Sequence, residues 1–389
     1  ITVGDDVLGR AREPLQEAAL PERVGPFEIR ELIGEGGFGT VYRAEQREPV
    51  ARTVALKVLH RSRIDERSQL RFQVERQTLA RMQHPGIAQI YDAGRTPDGV
   101  HYFAMELVDG EPITRFCDLR KLSIPERLAL FLDVCAAVQH AHQRSVVHRD
   151  LKPGNVLVSD RDGRPVPKVI DFGVAKVLFD EAVDTLLTRE GALVGTPAYM
   201  SPEQAAGRAV DTRTDVYALG VLLFELLTGD LPFPRRLLQT ANVAEIVRVV
   251  CDHEPRSFRS AVIEAERGPA GVAERRATAE GALLRRLRGD LEWIVRRALA
   301  KDPDSRYQTV AALIEDVQRY RRSEPVLARE PAALYVLRRF VARHRLAVAA
   351  TIAGTLLVAA VIVGLAWSLR QVDDARVLAD VGHLALGQH

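Results

Sequence analysis

The chain has 389 residues, 47% of them hydrophobic, and its 54 Lys and Arg nearly cancel its 52 Asp and Glu, for a formal charge of +2. That balance, with no basic arm or aromatic–basic stripe, argues against a nucleic-acid binder. Three scattered cysteines, Cys117, Cys135 and Cys251, form no CxxC pair, which argues against a disulfide framework or a zinc site and fits reduced cytosolic thiols.

Residues 1–26 mix Gly, Pro, Glu and Arg without periodicity and read as a flexible arm. The chain opens on Ile1 with no secretory signal, so a fragment or a processed protein is expected. From Phe27 the pattern is strand-like. Phe27 to Ile33 alternates at period two, and Val41 to Ala44 and Thr53 to Leu59 are further strands. Leu70, Val74, Leu79 and Met82 predict one helix over Gln69 to Met82. After a short connection at Glu106 to Gly110 the chain turns helical, over Ser123 to Arg144, Asp215 to Thr228, Leu291 to Ala300 and Val310 to Tyr320. The stretch 254–289 is rich in Arg, Ala and Glu and reads as a helical, charged insertion without catalytic signal. A basic linker, 321–345, follows. Residues 346–369 carry no charge, and at ~1.5 Å rise per residue they exceed a ~30 Å bilayer core. Residues 370–389 are too few to bury a core and read as the truncated start of an extracytoplasmic segment.

Gly34-Glu35-Gly36-Gly37-Phe38-Gly39-Thr40-Val41 has the spacing GxGxxGxV, in which glycines let a backbone approach phosphates closely. A dinucleotide site needs a helix after such a loop. A strand follows here, so the loop caps a hairpin. Lys57 sits alone in the apolar strand Val54-Ala55-Leu56-Lys57-Val58 and needs a partner if buried, which Glu75 on the following helix can supply. Downstream, His148-Arg149-Asp150-Leu151-Lys152-Pro153-Gly154-Asn155 precedes Asp171-Phe172-Gly173. These runs hold a carboxylate able to accept a hydroxyl proton, a lysine, an asparagine and a second carboxylate able to hold magnesium. Taken singly, each residue is more often an ordinary surface or core group. Their shared order is what phosphoryl transfer from ATP requires.

Together, Phe27 to Tyr320 resembles a eukaryotic-like serine/threonine protein kinase of the bacterial membrane-anchored receptor type. The resemblance implies an α+β, two-lobed protein kinase fold followed by a single transmembrane helix. The N-lobe would be a β-sheet plus one helix over 27–105, and the C-lobe mainly helical over 106–320. It implies ATP and Mg2+ (Mn2+ as an alternative) and protein substrates bearing Ser or Thr. Asp150 would be the catalytic base and Lys152 would steady the γ-phosphate. Lys57, fixed by Glu75, would hold the α- and β-phosphates, and Asn155 and Asp171 the metal. Ile33, Val41 and Ala55 would roof the adenine and Leu157 floor it, with Met105 as gatekeeper and the backbone of Glu106 to Val108 bonding the base. Leu79, Ile90, His148 and Phe172 match the regulatory column, although generic core packing explains them equally well. In the activation segment, Asp171 to Glu203, Gly195 to Glu203 would dock the peptide, with Ser201-Pro202-Glu203 in place of the commoner Ala-Pro-Glu. Thr196 would join the Asp150–Lys152 network, Glu203 would pair with Arg306, and Asp215 would anchor the loop. Phosphorylated Thr185 or Thr188 would pair with Arg149 after trans-autophosphorylation.

Arg338, Arg339, Arg343 and Arg345 precede the apolar segment, which places the kinase domain in the cytoplasm at a bacterial plasma membrane. Small-residue pairs Ala350/Gly354 and Ala360/Gly364 suit a homodimer but face different sides. Three other readings compete: a pseudokinase scaffold, a small-molecule phosphotransferase and a chain that is mainly a sensor. The complete set of catalytic groups argues against the first, the peptide-docking segment against the second, and the short segment after the span against the third.

Overall fold

Period-two alternation in the first third of the chain becomes a six-stranded antiparallel sheet in the computed structural model, which describes residues 21–36, 39–59, 82–172, 197–239, 243–329 and 345–386. Strands β1 (Arg23–Val24), β2 (Phe27–Gly36), β3 (Gly39–Gln46), β4 (Arg52–Leu59), β5 (Ile90–Arg95) and β6 (His101–Glu106) lie in the order β1-β2-β3-β4-β6-β5. Arg23 and Val24, expected within the arm, instead pair with Glu28 and Phe27, and Val24 joins the buried cluster. The predicted helix over Gln69 to Met82, with Glu75 and Leu79, lies outside the described residues apart from Met82.

The two faces of this sheet have different fates. One buries Phe27, Ala44, Val54, Leu56, Tyr102 and Ala104, with the Phe27 and Tyr102 rings edge to face at 5.6 Å. Alternation sends the intervening residues to the opposite face. There the register aligns Val41 with Lys57, Lys57 with Phe103, and Ala55 with Met105. A second sheet, β7 (Glu111–Pro112), β8 (Val156–Arg161) and β9 (Arg164–Val169), runs in that order, its last hairpin closed by Asp162-Gly163 with both φ positive.

Among the described residues, the rest of the first unit, which ends at Arg321, is mainly helical. The helices are α1 (Ile113–Leu119), α2 (Ile124–His142), α3 (Pro202–Ala205), α4 (Thr212–Thr228), α5 (Arg235–Gln239), α6 (Val243–Asp252), α7 (Phe258–Glu264), α8 (Gly268–Glu274), α9 (Glu280–Leu287), α10 (Asp290–Ala298) and α11 (Val310–Arg321). Ser123 and Glu126 form the capping box of α2. Apart from Thr212, Arg213 and Glu225, every residue of α4 is buried, so this helix is the axis of the C-lobe core. The arrangement is the α+β, two-lobed one implied by the sequence.

The 254–289 stretch becomes α7 to α9, and its arginines have a structural task the sequence did not reveal. Gly229 ends α4 in the left-handed region, φ 82°. Buried Arg276 then donates to the buried carbonyls of that last turn, Leu227 O at 2.7 Å and Leu226 O at 3.0 Å. Arg127 of α2 adds a bond to Leu226 O at 3.2 Å and takes Arg275 O at 2.6 Å. Asp118 is the shared counter-ion, 2.9 Å from both Arg127 and Arg275.

A second buried pair joins α3 to the region after α10. Arg306 grips Glu203 through two bonds of 2.7 Å, and Thr214 adds one of 2.8 Å. Burial alone would raise the Glu203 carboxyl; the hydrogen bonds and charge of Arg306 outweigh it and hold it below its usual range.

Residues 322–389 form the second unit. Within it, α12 (Arg345–Leu386) is the one described helix long and apolar enough to cross a membrane, over Val348–Ser368, none of it buried. The helix does not stop at residue 369, where the apolar segment ends, but continues to Leu386, with no proline after Arg370 to end it.

Two outcomes follow for stability. Arg276→Met leaves the carbonyls at the end of α4 without their buried donor and is expected to cost about 3 kcal/mol in denaturant unfolding. Arg306→Met strands the Glu203 carboxylate and is expected to cost about 3–5 kcal/mol at neutral pH. Because the folded pKa of Glu203 is lowered, its contribution is present above the ordinary carboxylate range and lost as pH falls through the folded value. The gap between wild type and Arg306→Met should therefore narrow below about pH 4. A gap independent of pH would refute the assignment.

Candidate active site

The loop joining α2 to β8 is fixed from below by α4. Asp215, fully buried, accepts from His148 N at 2.8 Å and Arg149 N at 2.9 Å, and bonds His142 Nε2 at 2.7 Å. Burial pushes its carboxyl up, but the hydrogen bonds it accepts, from the His142 ring first and then from the backbone of His148, win, so it stays below the usual range. Arg149 lies in the left-handed region, φ 64°, a conformation costing roughly 1–3 kcal/mol that the Asp215 anchor offsets.

His148 has both ring nitrogens engaged. Nε2 faces Ile170 O at 3.1 Å, so it carries the hydrogen, and Nδ1 accepts from Asp150 N at 3.3 Å. Burial lowers its pKa, so the ring is neutral and structural. Its ring stacks against Phe172, centroids 4.7 Å apart, which draws two members of the expected column together. Leu79 lies outside the described residues.

Asp150 gathers the polar groups that follow it. Asn155 Nδ2 donates to Asp150 Oδ2 at 3.0 Å and to its carbonyl at 2.7 Å. Lys152 Nζ lies 3.0 Å from Asp150 Oδ2. Ile170 N donates to Asn155 O at 2.9 Å, tying this loop to the strand that delivers Asp171. Asp171, φ 62°, receives Lys57 Nζ at 2.5 and 2.6 Å. Lys57 is largely buried on β4, so its ammonium reaches across the cleft between the lobes. The sequence assigned Lys57 to Glu75, which lies outside the described residues. The Asp171 pairing spans 114 residues and had no local signal.

Behind these charges, Met82, Ala88, Ile90, Phe103, Met105 and Phe172 line a cavity with Lys57 and Asp171. Met105, Ala55 and Leu157 are buried and Ile33 and Val41 half-buried. Of the phosphate-loop residues, Gly34, Glu35, Gly36 and Gly39 are described and Gly37 and Phe38 are not. Gly39 has no substitute: a Cβ there would stand 2.3 Å from Val58 O.

The end of the expected peptide-docking segment meets the same loop. Ser201 caps α3 by accepting from Gln204 N at 3.3 Å, and Gln204 Nε2 donates to Arg149 O at 2.8 Å. The hydroxyl that replaces a commoner alanine thus does work. Tyr199 OH donates to Glu225, and Arg235 pairs with the same carboxylate at 3.1 Å. Thr185, Thr188 and Thr196 lie outside the described residues. Val108 is half-buried just beyond β6. One ion pair here was missed by sequence reasoning altogether: Lys168 of β9 holds Glu106 at 2.6 Å through both oxygens. The only signal was a lysine three residues before Asp171 in an otherwise apolar strand end.

Comparison with known proteins points one way. Residues 27–317 match the protein kinase domain family. PknB, a serine/threonine-protein kinase of Mycobacterium tuberculosis, is 36% identical over 304 residues, 77% of this chain and 43% of its own length. RqkA, a DNA damage-responsive serine/threonine-protein kinase of Deinococcus radiodurans, is 42% identical over 246 residues, 62% of this chain and 35% of its own. The chain thus spans less than half the length of these curated relatives. The crystal structure of the Mycobacterium tuberculosis PknI kinase domain superposes with a TM-score of 0.54 at 26% identity, over 77% of this chain and 99% of that one. With the family matched over residues 27–317 and the cleft built as described, the chain belongs to the protein kinase domain family.

Proposed function

We propose that the chain transfers the γ-phosphoryl group of ATP to Ser or Thr hydroxyls of proteins, with Asp150 as the base. The observation that carries this is the convergence of Lys152 and Asn155 on Asp150, with Asp171 reaching Lys57 from the adjoining strand end. Asp150 takes the hydroxyl proton as the oxygen bonds to phosphorus and the bond to ADP breaks. Lys152 offsets charge that develops on the transferred group. Lys57 orients the α- and β-phosphates, exchanging part of its contact with Asp171 for them.

The donor set suits a hard divalent cation such as Mg2+. Asp171 offers carboxylate oxygens, each with lone pairs beyond those used by Lys57. The Asn155 amide nitrogen is committed to Asp150, which leaves its carbonyl oxygen as the group's metal donor. When bound, the cation would neutralise phosphate charge. Phosphorylation at Thr185 or Thr188, in trans between two copies, would supply an anion for Arg149 and order the activation segment.

The apolar span of α12, with Arg345 at its start and further arginines ahead of it, supports a single-pass anchor with the kinase domain on the cytoplasmic face. Such a placement makes the chain a membrane-tethered signalling kinase.

Two measurements test these readings. Asp150→Asn should lower phosphoryl transfer to a Ser/Thr-containing protein by about 10²–10⁴-fold while ATP binding persists; unchanged transfer would remove the base assignment. In cells expressing the chain, α12 should resist alkaline extraction from membranes, and protease added to the cytoplasmic face should digest the kinase domain. Release into the soluble fraction would dispose of the anchor.

A further inference from the structure

Lys168 is a buried cation in a strand where an apolar residue would serve packing at least as well. Replacing a buried ion pair by apolar groups is often neutral or stabilising, so such a pair calls for a role in geometry. Its surroundings give one. Lys168 Nζ holds both oxygens of Glu106 at 2.6 Å. Glu106 ends β6 and opens the connection between the lobes. Its own N–H donates to Gln89 O at 2.8 Å, and Oε2 accepts from Gln89 N at 3.3 Å. On the other side, Lys168 stands opposite Leu157 in the β8–β9 register, and Asp171 comes three residues later. The next residue, Val169, donates to Gly86 O at 2.8 Å and accepts from Ala88 N at 3.0 Å. One ion pair therefore spans from the proposed adenine-bonding backbone to β9, which pairs with the floor residue Leu157 on β8 and leads to Asp171.

We propose that Lys168 is a positioning residue for the adenine nucleotide: through the Glu106 carboxylate it holds the Glu106–Val108 backbone at a fixed distance from the Leu157 floor. The inference rests on the kinase reading above. The pair bonds to the Gln89 backbone, whereas Asp150 is met by Asn155 and Lys152. Contacts to adenine are the same in the ground state and the transition state, so loosening them weakens nucleotide binding without slowing chemistry.

The test uses the full chain in nanodiscs, with ADP binding measured by calorimetry and steady-state kinetics run beside it. Lys168→Met should weaken ADP binding and raise KM for ATP by the same factor, about ten-fold, with kcat within about two-fold. Glu106→Gln should do the same, and the double variant should be no worse than either single one, because both remove one interaction. Lys168→Arg, which keeps the charge, should restore most of the affinity. Inorganic tripolyphosphate, which lacks the base, should compete equally well against labelled nucleotide in wild type and variants. Unchanged ADP affinity in Lys168→Met would overturn the proposal. So would effects that multiply in the double variant, or a loss confined to kcat or thermal stability. If Lys168→Met does not fold, Glu106→Gln and Lys168→Arg decide alone. Wild type that binds no ADP would overturn both this inference and the kinase reading, whereas wild-type binding with indifferent variants overturns only this one.

Discussion

A single carboxylate sealed inside the C-lobe sets the geometry of the cleft. Asp215 has no access to water, and an ion in that position is tolerable only while its donors stay in place. Its donors are the backbone N–H groups of His148 and Arg149 and the ring of His142. If the loop moved away, the charge would be stranded, so the energetic cost of loop motion is that of an unpaired buried anion. The strained φ at Arg149 persists for the same reason. From this fixed point the chain runs only one residue to Asp150, and the Asn155 amide then clamps Asp150 from ahead. The polar groups of the cleft inherit their rigidity from α4, itself immobilised by burial along almost its whole length.

The architecture was readable because its signals are local. Alternation gave β2, further apolar strand runs gave β3 and β4, helical spacing of apolar residues gave α2, and a strongly apolar run gave α4, the helices to within a few residues. The ends failed where a short segment found a partner. Val24 pairs with Phe27 through two-residue strand contact that no periodicity announces. Beyond Ser368 the helix runs on because the sequence has good helix formers and no proline. The site residues were readable as an ordered series of motifs, but motifs carry identity, not pairing. Lys57 with Asp171, Lys168 with Glu106 and Arg276 with the end of α4 join positions 114, 62 and 50 residues apart, and only the folded chain decides such meetings.

The 254–289 stretch shows why a charged, signal-free segment need not be decoration. A helix ends with carbonyls that lack partners and with the negative end of its dipole. In the interior, water cannot satisfy them. Arg276 and Arg127 bring donors to that point, and their like charges are tolerated because Asp118 sits between them. Burial pushes the Asp118 carboxyl up, yet the surrounding guanidinium groups keep it below its usual range, so it remains an anion. The three short helices are therefore a cap on the axis of the lobe, delivered from late in the sequence.

Two buried lysines lie along the cleft, and each takes its carboxylate from across it. Lys57 comes from the sheet lobe and meets Asp171 from the other; Lys168 comes from β9 and meets Glu106 at the end of β6. Charges arranged this way couple the lobes, since separating them would strand a cation and an anion together. The two pairs differ in what can replace them. Phosphate oxygens carry negative charge and can substitute for Asp171 at Lys57, freeing a carboxylate for a metal ion as they do so. Adenine carries none and cannot substitute for Glu106 at Lys168. Opening and refilling are thus chemically available at the phosphate end of the cleft, while the pair at the base end can act as its fixed edge.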